Sequence, residues 1–427
     1  MGDRRGTERV RGALVSDRPT YPTDPRLDAI FTATRALFDL PEGLVYLDGN
    51  SLGPLTHAAR ARVTNEVAAQ WGAKLIRGWN ESGWMDLPRE VGDRIAALIG
   101  APAGSVVASD STSVNLFKVL AAALELRPGR RVVLSDSGNF PTDLYVAQGL
   151  LARLDRGHEL LVVEPEAVAD TIAARGAEIA TIMLTQVDYR TARLHDMADL
   201  SRRAHDAGAL AIWDLAHSAG ALAVDVTGAG ADFAVGCGYK YLNGGPGAPA
   251  FAYVASAHAE AVRPTLSGWM GHESPFAFDL GYRPGPGIDR MRVGTPPILS
   301  MASLHAALAV WEGVDMADVR ARSIELSELF IAEVERRCPE LVLASPRDPQ
   351  SRGSHVSFRF AHGYAAVQAL ISRGVVGDFR ASDMMRFGFA PLYVTPRDVV
   401  RGATMLETVL RERLWDRPEF TQRQKVT

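Results

Sequence analysis

Cysteine is almost missing from this chain of 427 residues, which has two, Cys237 and Cys338. Two thiols cannot build a disulfide framework or a cysteine-based zinc site. Both are expected to be free and buried in a reducing compartment, with Cys237 packed as a small hydrophobe. Also lacking is any apolar run of the ~18 residues a membrane-spanning helix needs. The longest, 209–226, is broken by Asp214, His217 and Asp225. The opening MGDRRGTERV has no apolar signal core, and Gly6 stands where myristoylation needs Ser or Thr. Charge of one sign is lacking too: 46 Lys+Arg against 50 Asp+Glu leave a net −4. That balance gives no electrostatic footprint for nucleic acid or an anionic membrane. No repeat or low-complexity tract appears. No G-x-G-x-x-G opens a helix after the first strand, which excludes a Rossmann dinucleotide binder. A cytoplasmic protein without nucleic-acid or membrane partners is expected.

Glycine is what the chain has in excess, with 39 residues, or about 9% against an average near 7%. The glycines concentrate at 43–53, 228–247 and 281–294. Residues 1–20 read as a loose charged arm, followed by a helix over 27–40 and an extended piece over 44–47. Amphipathic spacing predicts helices over 56–76 and 88–99. Short apolar runs then alternate with helical patterns. Strands are predicted at 106–108, 132–135, 160–163, 179–184, 210–214, 233–236 and 250–254. Helices are predicted at 116–126, 142–153, 166–175 and 197–207. This grammar predicts an α/β fold with a mostly parallel sheet, whose ligands lie at the carboxyl ends of the strands. The remainder reads as a smaller α+β unit: a long helix over 299–337, a strand at 354–360, a helix at 365–372, a strand and loop over 386–394, and a helix at 397–411. The expected division is an arm and extended segment (1–55) that contributes to the small domain and the site, a large domain (56–310) and a small C-terminal domain (311–427).

The chemistry concentrates in DLAHSAGALAVDVTGAGADFAVGCGYKYLNGGPG, 214–247. Asp214 closes an apolar strand and precedes an expected helix start. Lys240 follows the next strand after a flexible Gly-Cys-Gly. A lysine amine at a sheet rim can form a Schiff base with an aldehyde cofactor. Pyridoxal phosphate also needs a carboxylate beside its ring nitrogen, to keep the ring an electron sink. Asp110-Ser111-Thr112-Ser113 opens a helix and suits a phosphate. Taken singly, Asp214 reads as a cap, Lys240 as a surface charge, Ser-Thr-Ser as ordinary capping and His217 as a structural histidine. Their coincidence at strand ends of one α/β unit favours pyridoxal phosphate.

The strings YLDGNSLGP (46–54), NFPTDLY (139–145), IWDLAHSAGA (212–221), CGYKYLNGGPG (237–247), TLSGWMGH (265–272), GTPPILS (294–300), RGSHVSF (352–358) and MRFGFAPLY (385–393) resemble bacterial kynureninase. The resemblance runs from about residue 25 to the end of the chain. It implies pyridoxal 5'-phosphate fold type I, the aspartate-aminotransferase type: a large domain with a mostly parallel sheet flanked by helices, and a smaller C-terminal α+β domain. It also implies the site roles. Lys240 would hold the cofactor, Asp214 would pair with its ring nitrogen, His217 would lie beside the ring, and Phe140 would stack on it. Thr112, Ser113 and the Tyr239 hydroxyl would bind phosphate, with Asp143 and Thr185 near the ring substituents. Trp269 and Thr295 would reach the phosphate from the partner subunit of a homodimer. Arg386 would clamp the substrate α-carboxylate, and Asn50 and Ser51 would close the substrate pocket.

The implied reaction is hydrolytic Cβ–Cγ cleavage of L-kynurenine to anthranilate and L-alanine, with 3-hydroxykynurenine as a second candidate substrate. Lys240, Tyr239 and Asp214 would be catalytic. The implied setting is tryptophan catabolism by the kynurenine pathway, toward NAD biosynthesis. A cysteine desulfurase of the same fold type would need a reactive cysteine on a late mobile loop, and Cys338, just before Pro339, is poorly placed for that. A non-catalytic binding module would be expected to lack Lys240 or Arg386, and both are present.

Overall fold

The computed structural model describes residues 24–422. The first described helix, Pro25–Arg35, is capped by the Asp24 carboxylate and carries proline in its first turn. It stops five residues short of the periodicity's end at residue 40, and the chain turns to strand β1 (Val45–Tyr46). The helix over 56–76 is also interrupted. Thr56 caps His57–Asn65, and the backbone then widens into π-helical turns over Glu66–Trp71. At this point the Glu66 carboxylate is buried, where it accepts from Arg62 Nε at 2.9 Å and from Trp84 Nε1. The arm at 1–20 lies outside the described residues.

Seven strands form the main sheet: β2 (Val106–Ala108), β3 (Val132–Asp136), β4 (Glu159–Val163), β5 (Ile179–Thr185), β6 (Leu210–Asp214), β7 (Phe233–Cys237) and β8 (Ala250–Val254). Their order is β2-β8-β7-β6-β5-β3-β4, with β8 antiparallel to both neighbours and the other pairs parallel. Alternation along each strand divides the core in two. Leu210, Ile212, Phe233 and Val235 pack on one face with Leu116, Val119, Leu120 and Leu150. Ala211, Trp213, Ala234 and Phe251 pack on the other with Ile95, Ile172 and Leu200. Because both faces are covered, these strands read in sequence as unbroken apolar runs.

A second, antiparallel sheet follows, of order β12-β13-β10-β9, built from β9 (Val342–Leu343), β10 (His355–Arg359), β12 (Asp378–Arg380) and β13 (Met384–Gly388). The short strand β11 (Val375–Val376) pairs in parallel with β1, so the N-terminal segment is stitched to the C-terminal part of the chain. The long helix read over 299–337 is two helices, Ile298–Ala307 and Met316–Arg337. Gly313 at φ +75° turns the chain between them, and Asp315 caps the second through Ala317 N–H at 2.8 Å. The turn DLAHSAG after Asp214 is non-helical, contrary to the expected helix start. Asp214 Oδ1 accepts from Ala216 N–H at 2.7 Å and closes a tight turn.

A buried aspartate ties β6 to the helix Met197–Asp206. Asp232 accepts from Ala211 N–H at 2.7 Å, and its carboxylate meets His205 Nε2 at 2.8 Å and His258 Nε2 at 2.7 Å. Burial raises Asp232, but the two histidine bonds outweigh it and hold the carboxyl at about 2. The bond to Asp232 raises His205 above its ordinary value. The Asp232 contribution to stability is present above pH ~4 and is lost as pH falls through about 2. The His205 contribution is present below ~6.5 and is lost as pH rises through its raised folded value. The melting-temperature gap between wild type and Asp232→Asn is therefore expected to peak near pH ~5 and shrink on both sides. A gap independent of pH would contradict this reading.

Candidate active site

Strands β2, β3, β5, β6 and β7 all run the same way, so their carboxyl ends share one rim. Each sends a predicted site residue there. The helix Thr112–Leu126 starts just past β2, with Ser111 as its cap, and its first N–H groups, at Thr112 and Ser113, have no partner within the helix. Asp110 adopts φ +49° to make this entry. The fully buried Lys118 ammonium braces it, donating to Asp110 Oδ2 at 2.7 Å and to the Met291 carbonyl at 2.6 Å.

After β3, Asn139 pins the loop to the sheet by donating to Ser135 Oγ at 3.0 Å and the Met183 carbonyl at 3.2 Å. Asn139 Oδ1 accepts from Phe140 N–H at 2.8 Å, which sets Phe140 at the start of the helix Pro141–Leu154. The Phe140 ring is 42% exposed on the rim, edge-on to Tyr189 at 5.0 Å. Asp143, in the first turn of that helix, reaches back to Asp214. Both carboxyls are buried. Burial, then the charge of Asp214, pushes Asp143 well above the usual carboxyl range. Burial also raises Asp214, opposed first by the Lys240 charge. Both carboxyls therefore hold a proton more readily than exposed ones do. Thr185 ends β5 beside them, its hydroxyl 3.5 Å from the Asp214 carbonyl.

Lys240 follows β7, whose register places Val235 opposite Asp214. Its Nζ lies 2.9 Å from His217 Nε2 and 6.0 Å from the centroids of the Phe140 and Tyr239 rings. Burial, then Lys240, lowers His217 well below its ordinary value, so its ring is neutral and accepts from the ammonium. The loop needs its glycines. A Cβ on Gly238 would meet the Pro249 carbonyl, and one on Gly53 would meet the Lys240 carbonyl. Gly53 N–H also donates to the Tyr239 carbonyl at 2.8 Å. The DGNSLG turn is thereby docked against the lysine loop.

That turn carries Asn50 and Ser51 toward the second sheet. Asn50 is fully buried beside Gly388, and both of its polar side-chain atoms lack a partner. Ser51 Oγ donates to Asp378 Oδ2 at 2.6 Å and accepts from Arg386 Nη2 at 2.9 Å. Arg386 is buried on β13. Its Nε donates to Asp378 Oδ1 at 2.8 Å, its Nη2 to Asp378 Oδ2, and its Nη1 to the Tyr189 carbonyl. Four of its five donors are thus engaged. The structure does not place Trp269 and Thr295 with these residues. Both are exposed, in segments joined where Met270 N–H donates to the Val293 carbonyl at 3.2 Å, and the Trp269 ring packs edge-on against Phe276.

A family model described as the kynureninase C-terminal domain matches residues 319–406. A kynureninase of Burkholderia pseudomallei (strain 1106a) is 49% identical over 399 residues, covering 92% of this chain and 95% of that protein. One from Pseudomonas fluorescens is 49% identical over 400 residues with the same coverage. The chain belongs to the kynureninase family. Among solved structures, an apo cysteine desulfurase from Thermococcus onnurineus NA1 superposes with a TM-score of 0.75 at 18% identity, covering 89% of this chain and 98% of that one. The cysteine desulfurase CsdA from Escherichia coli gives 0.75 at 22%, with 90% and 98% coverage. These two share the fold alone, which is pyridoxal-phosphate fold type I.

Both cysteines are free and buried. Burial raises the Cys237 thiol and pushes Cys338 up to about 12, far from a reactive thiolate. Several residues around the clamp escaped the sequence reading: Asp48, Tyr189, His355, Asp378 and Arg380. His355 is fully buried with both ring nitrogens unpartnered, its ring 5.5 Å from that of His217. Asp48 had a signal, since it lies in the same DGNSLG turn as Asn50. Asp378 and Arg380 had none, because only the β12–β13 register brings them to Arg386.

Proposed function

We propose that this kynureninase-family chain hydrolyses the Cβ–Cγ bond of L-kynurenine to anthranilate and L-alanine, in the kynurenine route of tryptophan breakdown, with pyridoxal 5'-phosphate held at Lys240. The carrying observation is that Lys240, held to His217, stands on one rim with the buried Asp214 and Asp143, with Arg386 beyond the DGNSLG turn. The residues suit the cofactor. Asp214 is buried and feels the Lys240 charge, and a ring N–H⁺ would hold it ionised. Asp143 Oδ2 and His217 Nδ1 are buried without partners. The helix start at Thr112 and Ser113 offers free N–H groups to a phosphate, and the open face of Phe140 can cover an aromatic ring.

When bound, pyridoxal phosphate supplies an electron sink for charge developing at the substrate Cα. Asp214 would keep the ring nitrogen protonated. Arg386 would hold the α-carboxylate, fixing which substrate bond faces the ring. The Lys240 amine, once released by the substrate's own amine, would take the proton from Cα, with neutral His217 as its hydrogen-bond acceptor. Water adds to the γ-carbonyl carbon, and cleavage gives the acid of anthranilate and a three-carbon fragment that takes up a proton to become alanine. Tyr239 is the candidate proton donor: burial raises its hydroxyl, so it stays protonated at neutral pH. Tyr239→Phe is expected to lower kcat by roughly 10²-fold with little change in KM. An unchanged kcat would remove Tyr239 from the proton path.

A homodimer with a shared site accompanies this reading. It is supported by exposed apolar side chains within 266–280, Leu266, Trp269, Phe276, Phe278 and Leu280. Mixing Trp269→Ala chains with Lys240→Ala chains should restore part of the activity, because one of the two sites in a mixed dimer then has both residues. No recovery in verified mixed dimers would refute sharing. The proposed division into residues 56–310 and 311–427, with 1–55 joined to the latter, agrees with the pairing of β1 to β11.

A further inference from the structure

The clamp around Arg386 holds more charge than one arginine. Asp378 lies opposite Arg386 in the β12–β13 register, is buried, and takes the Nε and Nη2 donors of that guanidinium. Arg380, two residues along β12, brings a second guanidinium to the same carboxylate, with Nη2 2.7 Å from Asp378 Oδ2 and 3.3 Å from Ser51 Oγ. Two cations therefore share one anion.

Resting on the kynurenine reading above, we propose that Asp378 is the positioning residue of the substrate-carboxylate site and Arg380 its second cation, so that the cluster carries one uncompensated positive charge matched to a substrate with a single carboxylate. Asp378 occupies the Nε side of Arg386 and fixes the guanidinium plane. The donors left for an incoming carboxylate are the spare hydrogen on Nη1 and the Nη2 hydrogen now given to Ser51. Ser51 yields that bond when the substrate arrives, keeping its own donation to Asp378.

The neighbouring groups leave the surplus charge intact at neutral pH. Burial, then Asp378, pushes Asp48 up to about 8, away from its ionised form. Burial raises the hydroxyls of Tyr46, Tyr241 and Tyr393. Burial, then the Arg386 charge, keeps His355 neutral. A second carboxylate on the substrate would find no second positive charge here, so the site disfavours amino acids with acidic side chains.

The test uses the holoenzyme and 4-oxo-4-phenylbutanoate, which has the carboxylate and ketone at kynurenine's spacing but no amine. Its Kd is read by calorimetry, which needs no turnover. Arg380→Gln removes a positive charge and should weaken the probe about tenfold, while Asp378→Asn removes a negative one and should leave it equal or tighter. Asp378→Asn should nonetheless lower kcat for kynurenine about tenfold or more, because Arg386 loses its fixed plane. Asp378→Glu, which keeps the charge, should keep the wild-type Kd. A merely structural Asp378 would weaken the probe in Asp378→Asn as well, and that result, or an unchanged Kd in Arg380→Gln, overturns the proposal. Should Asp378→Asn not fold, Arg380→Gln decides alone. Wild-type turnover of kynurenine, measured beside these, shows separately whether the underlying reading stands.

Discussion

Lys240→Ala is expected to lower kcat for kynurenine cleavage by roughly 10⁴-fold or more, with the protein still folded. Lys240 Nζ is the amine on the rim, 2.9 Å from His217 Nε2. Asp143 and Asp214 are buried carboxyls raised above their ordinary range, and His217 is neutral. The other lysine described at the rim, Lys118, is held by Asp110 and the Met291 carbonyl. The variant should lose the yellow absorbance of lysine-bound cofactor and retain the wild-type circular dichroism. An exogenous small amine should recover a measurable fraction of the rate. A variant with near-wild-type kcat would exclude Lys240 from the chemistry.

The second large effect is expected at Arg386. Arg386→Lys keeps a positive charge but loses the fork that grips Asp378 and the substrate together. Its kcat/KM should fall by about 10²- to 10³-fold, mostly through KM. Arg386→Leu should do the same and also lose stability. It strips two hydrogen bonds from a buried carboxylate and leaves Asp378 with Arg380 and Ser51 alone. Breaking a buried pair from one side costs about 3–5 kcal/mol; the remaining partners put this case near the lower end. Thermal melts of the two variants separate the effects: the lysine variant should melt close to wild type and the leucine variant clearly below it. Equal melts with equal KM would show that Asp378 does not depend on Arg386.

The seven-stranded sheet was legible because its strands are buried on both faces and appear as short apolar runs between helices. Asp214 and Lys240 were legible for the same reason, each sitting just where such a run ends. Helix boundaries were read less well where a local device overrides periodicity. Gly313 with Asp315 splits the long helix, buried Glu66 accompanies the change to π-helical turns, and the Asp214 carboxylate closes a turn where a helix start was expected. The clamp was half legible. Arg386 and Ser51 carry sequence motifs, whereas Asp378 and Arg380 reach them only through strand pairing across a hairpin. Trp269 and Thr295 are exposed side chains without the strand-end signal that marks Asp214 and Lys240.

The central claim is tested most directly by adding L-kynurenine to the purified, cofactor-loaded protein and measuring anthranilate and alanine together. The predicted result is equimolar release of the two, abolished in Lys240→Ala. Colour without either product, or alanine consumed in a transamination with no anthranilate formed, would contradict it.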